Sequence, residues 1–166
     1  MLKPKIKLHR ITCVTPSLLK KYNIKALLLD VDNTLSTHHG TTLVDGLEEW
    51  LCVMHKEGIK ICILSNSKER RVMPFARKIG LDFVSLACKP LPFGFLKATK
   101  KMGVKRKETA LIGDQIFTDV MGGNLIGVKT IMTDLILAEE KVSFKVRRYL
   151  ERKLLKRMKV ENGYGC

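Results

Sequence analysis

The chain has 166 residues and carries 31 Lys and Arg against 16 Asp and Glu, a formal net charge of +15. That length suits one domain with a single core, and no apolar stretch approaches the length of a signal peptide or a membrane-spanning helix. The charge excludes indifference to polyanions, because such an excess attracts nucleic acid or anionic lipid. Cys13, Cys52, Cys62, Cys88 and Cys166 form no Cys-x-x-Cys pair and read as reduced, mostly packed thiols of a cytoplasmic protein.

In chain order, Thr15-Pro16-Ser17 has the form of a helix start with proline at the first helical position. Residues 26–35 then read Ala-Leu-Leu-Leu-Asp-Val-Asp-Asn-Thr-Leu. An apolar run of this kind, bounded by turn formers, predicts a strand buried on both faces of a parallel sheet. Its carboxylates emerge at the C-terminal edge, where open α/β sheets bind ligands. With the chain extended through Val31, the spacing of two puts Asp30 and Asp32 on one side, although Asp-Asn-Thr is equally the chemistry of a turn. His38 and His39 follow, adjacent side chains of the kind that seldom converge on one metal, and read as surface histidines.

A helix is predicted over 44–57, then a strand over 61–64 that ends in Ser65-Asn66-Ser67 and leads into a helix over 68–79. Hydroxyl, amide and free N–H groups at such a junction form a cradle for phosphate oxygens, and they also serve as an ordinary helix cap. A third strand over 83–86 leads into Lys89, which can reach the same edge and neutralise an oxyanion. After a helix over 92–102, a strand over 109–112 runs into Gly113-Asp114-Gln115-Ile116-Phe117-Thr118-Asp119, and a helix over 118–125 follows. The glycine permits the turn, and the aspartates suit a hard cation.

Four strand ends thus offer a carboxylate pair, a hydroxyl with an amide, a lysine, and a second acidic pair. This ordered set resembles the four motifs of the haloacid dehalogenase superfamily of phosphohydrolases. Gly-Asp-Gln-x-x-Thr-Asp, Gly122-Gly123-Asn124-x-x-Gly127 and Glu69-Arg70-Arg71-Val72 after Ser-Asn resemble its small subfamily IIIA branch of YqeG type, which includes phosphatidylglycerophosphate phosphatases. The likeness spans about residues 15–136; Ser67 departs from it, since the branch often has a second Asn there. The resemblance implies a Rossmann-like, doubly wound parallel sheet with the Asp30 strand central. It further implies Asp30 as nucleophile, Asp32 as general acid and base, Lys89 as the oxyanion partner, Ser65 or Asn66 as phosphate ligands, and Mg²⁺ held by Asp30, the Asp32 carbonyl, Asp114 and Asp119.

The alternation of strands and helices independently predicts a parallel α/β sheet with right-handed crossovers, and the whole of 1–166 is expected to form one domain. The segments between the motifs leave no room for a cap domain, so a large partner should complete the open site. A phospholipid head group, with phosphatidylglycerophosphate leading, is the expected substrate; nucleic-acid ends or nucleotides, or a non-enzymatic RNA-associated role, are the alternatives. Lys141, Lys145, Arg147, Arg148, Arg152, Lys153, Lys156, Arg157 and Lys159 make the end of the chain, with its last helix at about 142–160, strongly basic. Val146, Tyr149, Leu150, Leu154 and Met158 would line one face of that helix. That face either meets an anionic membrane from the cytoplasmic side, where each basic residue contributes about 1 kcal/mol, or packs on the domain. On the membrane reading, removing the helix should spare activity on a soluble substrate.

Overall fold

The computed structural model describes residues 1–36, 42–134, 136 and 142–162, so His38 and His39 lie outside the described residues. The elements are β1 (Ile6–Leu8), α1 (Pro16–Lys21), β2 (Ala26–Leu29), α2 (Leu47–Lys56), β3 (Lys60–Leu64), α3 (Glu69–Lys78), β4 (Asp82–Val84), α4 (Pro92–Met102), β5 (Thr109–Gly113), α5 (Met121–Ile126), β6 (Lys129–Thr133), α6 (Val142–Arg157) and β7 (Glu161–Asn162). The seven strands form one sheet in the order β4-β3-β2-β5-β6-β1-β7. Every pairing is parallel.

The order explains the composition of β2. It lies between β3 and β5 and is covered on both faces, so each of Ala26, Leu27, Leu28 and Leu29 must be apolar. Leu27, Leu29, Ile61, Ile63, Ala110 and Ile112 point to a layer built with Leu47, Trp50 and Met54 of α2 and with Val72 and Phe75 of α3. Leu28, Cys62, Leu64 and Leu111 point the other way, onto Phe95, Ala98 and Met102 of α4 and Ile126 of α5. Full burial of one such leucine contributes about 1.5–3 kcal/mol. The result is the doubly wound, three-layer arrangement expected from the alternation of elements.

Local chemistry sets the boundaries. The Thr15 hydroxyl accepts from the Leu18 amide at 3.2 Å, and Pro16 opens α1 as its fixed φ favours. Gly103, at φ +63°, ends α4. Three strands were not anticipated: β1, β6 and β7 extend the sheet on the β5 side. The helix expected over 118–125 is instead a π-helical turn, Ile116–Val120, running into α5. Of the cysteines, Cys62 is a buried thiol, Cys52 and Cys88 are exposed thiols, and Cys13 is disulfide-bonded, against the expectation of reduced and mostly packed thiols.

Gly94 fixes how α4 meets the segment that carries Lys89. A Cβ there would lie 2.5 Å from the Ala87 carbonyl oxygen and 2.7 Å from its Cα, contacts that require the backbone to move. Gly94→Ala is therefore expected to cost about 1–3 kcal/mol through overpacking, measured by urea unfolding. Stability equal to that of the parent would mean that α4 withdraws from Ala87 at no cost.

Candidate active site

All four expected strand ends open on the same edge of the sheet, because parallel strands deliver their C-termini to one side. Asp30 follows β2 directly, its amide donating to the Ile112 carbonyl at 3.0 Å, so the first residue past the strand is still registered against β5. The chain then turns back: the Asn33 amide donates to Ser36, and Asn33 adopts φ +57°, a region that asparagine tolerates better than most residues.

Lys89 is the centre of the arrangement. Its Nζ donates to Asp30 Oδ1 at 2.6 Å and to Asp119 Oδ1 at 2.7 Å, with all three side chains buried. The loop that delivers it is strained, since Leu86 and Cys88 sit at φ +47° and +53°. Left-handed geometry in such residues persists only where the surroundings over-determine it. Here the Leu86 and Ala87 amides donate to the carbonyls of Ser67 and Ser65, at 3.0 and 2.9 Å. The Asn66 side chain brackets Lys89: its Oδ1 accepts from the Lys89 amide at 2.7 Å and its Nδ2 donates to the Lys89 carbonyl at 3.1 Å. Of the two expected phosphate ligands, Asn66 is thus committed to holding the lysine. Ser65 is buried at the same edge, where its Oγ accepts from the Ser67 amide at 3.1 Å.

Asp114 and Asp119 come from the turn after β5. A Cβ at Gly113 would lie 2.6 Å from the Asp119 carboxylate, so only glycine lets that carboxylate fold back over the strand end. Both Asp119 oxygens have donors, Lys89 on Oδ1 and the Gln115 amide on Oδ2 at 3.1 Å. Asp114 differs: Arg148 holds Oδ2, while Oδ1 is buried without a hydrogen-bond partner among the described residues. Asp30, Asp114 and Asp119 each offer an oxygen within 4.8 Å of the others, close enough to hold one metal ion. Charge points the same way, because among the described residues three buried carboxylates face two cations, Lys89 and Arg148.

The electrostatics follow from burial. Desolvation pushes the Asp30 carboxyl up to about 7, with Asp119 adding to the rise and Lys89 opposing it. Burial also raises Asp114, against the pull of Arg148. For Lys89, burial alone would lower the ammonium, but Asp119 and Asp30 together outweigh it and hold it above its usual value.

Three partners were missed by sequence reasoning. Arg71 of α3 pairs with Asp32 and donates to the Ser67 hydroxyl at 2.8 Å; its position four residues after Ser67, on the turn facing the sheet edge, was the available signal. Arg148 and Glu151 of α6 are the others. Arg148 Nη1 donates to the Asp114 carbonyl at 2.8 Å, and Glu151 Oε1 accepts from the Ile116 and Phe117 amides at 2.8 and 3.3 Å. Only the C-terminal part of the expected apolar face of α6 is packed. Val146, Tyr149 and Leu150 are exposed, whereas Arg148 and Glu151 are buried and Leu154 and Leu155 pack on Ile116, Val120 and Met132. The helix is integral to the site edge, which removes the basis for expecting its truncation to spare a soluble substrate.

A model of haloacid dehalogenase-like hydrolases matches residues 26–127, the segment that holds Asp30 through Asp119. The chain is 36% identical over 146 residues to the "Probable phosphatase YqeG" of Bacillus subtilis, covering 88% of this chain and 85% of that protein. It is 27% identical over 168 residues to phosphatidylglycerophosphate phosphatase 1 of Arabidopsis thaliana, covering 93% of this chain and 47% of that protein. In fold it is similar to a 4-nitrophenylphosphatase from Thermotoga maritima, with a TM-score of 0.62 at 13% identity over 84% of this chain and 92% of that one. With the motif residues gathered at one sheet edge and the family model spanning all of them, the chain belongs to the haloacid dehalogenase-like hydrolases and is a phosphatase.

Proposed function

We propose that the protein is a Mg²⁺-dependent phosphomonoesterase that works through an aspartyl-phosphate on Asp30, with a phospholipid head group, phosphatidylglycerophosphate foremost, as substrate. The observation that carries the reaction is Lys89, buried between Asp30 and Asp119 beside the open oxygen of Asp114. An Asp30 oxygen attacks phosphorus as the ester P–O bond breaks, and Asp32 gives its proton to the departing alkoxide. Water then attacks the same phosphorus while Asp32 takes its proton, releasing phosphate and the free Asp30 carboxylate. Asp30, Asp114 and the Asp32 carbonyl would hold the metal, whose charge offsets that of the phosphoryl group and the carboxylates. Asp119, with both oxygens engaged, acts from behind them by holding Lys89.

Arg71 sets the resting state of Asp32. A carboxylate paired with a guanidinium is suited to the base half of the cycle, and an arriving phosphate competes for Arg71, freeing Asp32 to take up a proton from solvent for the acid half. Ser65 and the N–H groups at the start of α3 receive the phosphoryl oxygens.

Several features support a lipid substrate. No separate domain covers the site among the described residues, with one helix and a connecting segment between successive motifs. Leu86, Leu91 and Phe93, each more than half exposed, flank Lys89 in the chain. Exposed Val146, Tyr149 and Leu150 lie among basic residues on α6, whose inner face meets the same sheet edge. Apolar side chains interleaved with basic ones suit the surface of an anionic bilayer, and a cytoplasmic protein would meet that surface at the inner leaflet.

Asp30→Asn is expected to lower turnover by at least about a thousandfold with the fold intact, since covalent catalysis has no substitute nucleophile. Comparison of phosphatidylglycerophosphate in anionic vesicles, a 5′-phosphorylated oligonucleotide and nitrophenyl phosphate tests the substrate. Preference for the oligonucleotide would move the assignment to nucleic-acid ends.

Metal binding carries a second expectation. The folded Asp30 carboxyl titrates near 7 rather than at its usual 3.8, so below neutrality a proton must leave before the carboxylate can bind a cation. The apparent Mg²⁺ dissociation constant, measured by calorimetry, should rise as pH falls from 8 to 6, with protons released on binding. The stability of the metal-free protein should fall as pH rises between 3.8 and about 7, because there the folded state holds a proton that the unfolded chain has lost. Mg²⁺ affinity independent of pH across this range would count against Asp30 as a ligand.

A further inference from the structure

We infer that Arg148 is a positioning residue for the metal site, through which the basic C-terminal helix becomes part of that site. The inference rests on the reading of Asp114 as a metal ligand. Arg148 is itself buried, and its two terminal nitrogens are aimed at one residue: Nη2 at Asp114 Oδ2 and Nη1 at the Asp114 main-chain carbonyl, 2.8 Å away. A guanidinium that grips both the carboxylate and the backbone of one aspartate fixes its side-chain torsions as well as neutralising it. The grip leaves Oδ1 as the oxygen without a partner in a side chain that is 1% exposed. A buried carboxylate oxygen left without a donor is costly, and a cation shared with Asp30 removes that cost.

Arg148 is itself held. Its Nη1 also pairs with Glu151 Oε2 at 2.9 Å, one turn along α6. Glu151 turns its other oxygen to the amides of Ile116 and Phe117, which open the π-helical turn carrying Asp119. Arg147 adds a contact to the Gln115 side chain at 2.8 Å, and the Gln115 amide donates to Asp119. Consecutive residues 114–117 are thereby all fastened to α6, and the two acidic residues of this turn are set by one helix. The alternative is that Arg148 competes with the metal by occupying Asp114. Two observations favour positioning: Arg148 also binds the Asp114 main chain, so its grip does not depend on the carboxylate alone, and it occupies one carboxylate oxygen rather than both.

The test is Mg²⁺ binding to the full chain by calorimetry, alongside thermal unfolding. Arg148→Met should weaken Mg²⁺ about 10–100-fold, the loss typical when the partner of a metal ligand is removed. Arg148→Lys, which keeps the charge but cannot reach both acceptors, should fall between it and the parent, and it stands in if Arg148→Met does not fold. Leu155→Ala serves as the structural control, since it loosens the packing of α6 without touching Asp114; it should lower the melting temperature and leave the Mg²⁺ affinity within about twofold. In an Asp114→Asn background, Arg148→Met should cause little further loss, because the two act as one unit. Unchanged or tighter Mg²⁺ binding by both Arg148 variants would overturn the proposal, as would a Leu155→Ala loss as large as theirs. Failure of the parent protein to bind Mg²⁺ at all would instead overturn the metal reading on which the proposal stands.

Discussion

Everything at the sheet edge depends on a lysine ammonium buried between two carboxylates. Lys89 lies 2.6 Å from Asp30 and 2.7 Å from Asp119, with scarcely any solvent reaching the three groups. Such a cluster is a poor way to stabilise a fold, since desolvating the charges takes back most of what their attraction provides. Its persistence requires a frame that holds each partner regardless of that cost. The Asn66 bracket, the amides of Leu86 and Ala87 donating to Ser67 and Ser65, and the missing side chain at Gly113 are the parts of that frame. Each uses backbone groups or close packing, which do not rearrange when charge at the site changes. Fixed dipoles and charges of this kind suit a reaction in which negative charge arrives, moves and leaves.

The parallel sheet converts a linear order of motifs into a spatial cluster. Because β2, β3 and β5 are adjacent and parallel, the residues just after them meet at one edge without long loops. β4 lies beyond β3, so Lys89 has to come across from the far side of that strand. The strained 86–88 segment is the price of that reach, and Gly94 lets α4 close directly over Ala87 behind it.

Much of this was legible before any coordinates. The apolar run of β2 reads as a doubly covered strand, and strand ends in a parallel sheet have one edge to share, which makes Asp30, Ser65, Lys89 and Asp114 neighbours. The partners of those residues were not legible. Arg148 and Glu151 lie on a helix whose sequence places charged residues at many positions, and nothing in the periodicity singles out the ones that turn inward. Of the two readings left open for α6, packing on the domain is the one observed, but with other side chains turned inward. Apolar periodicity assigns Val146, Tyr149 and Leu150 to the buried face, yet the surface awaiting the helix is a carboxylate, a carbonyl and two free amides, to which Arg148 and Glu151 are complementary. Polar demand at the docking surface outweighed the hydrophobic pattern. β1 and β7 are two or three residues long, too short to carry a period, and they register only by pairing with each other and with β6.

The same inversion gives α6 two faces with different duties. Its inner face is bound into the ionic network of Asp114, and its outer face leaves exposed Val146, Tyr149 and Leu150 among exposed Lys145, Arg152 and Lys153. A helix is stiff along its axis, so a shift imposed on one face moves the other. Any surface that binds the outer face more tightly in one placement of α6 than in another must therefore also bias how Arg148 holds Asp114. By reciprocity of linked equilibria, a cation that fixes Asp114 must bias that binding by the same factor. Such a coupling would need no moving domain, only the guanidinium that joins α6 to the Asp114 carboxylate.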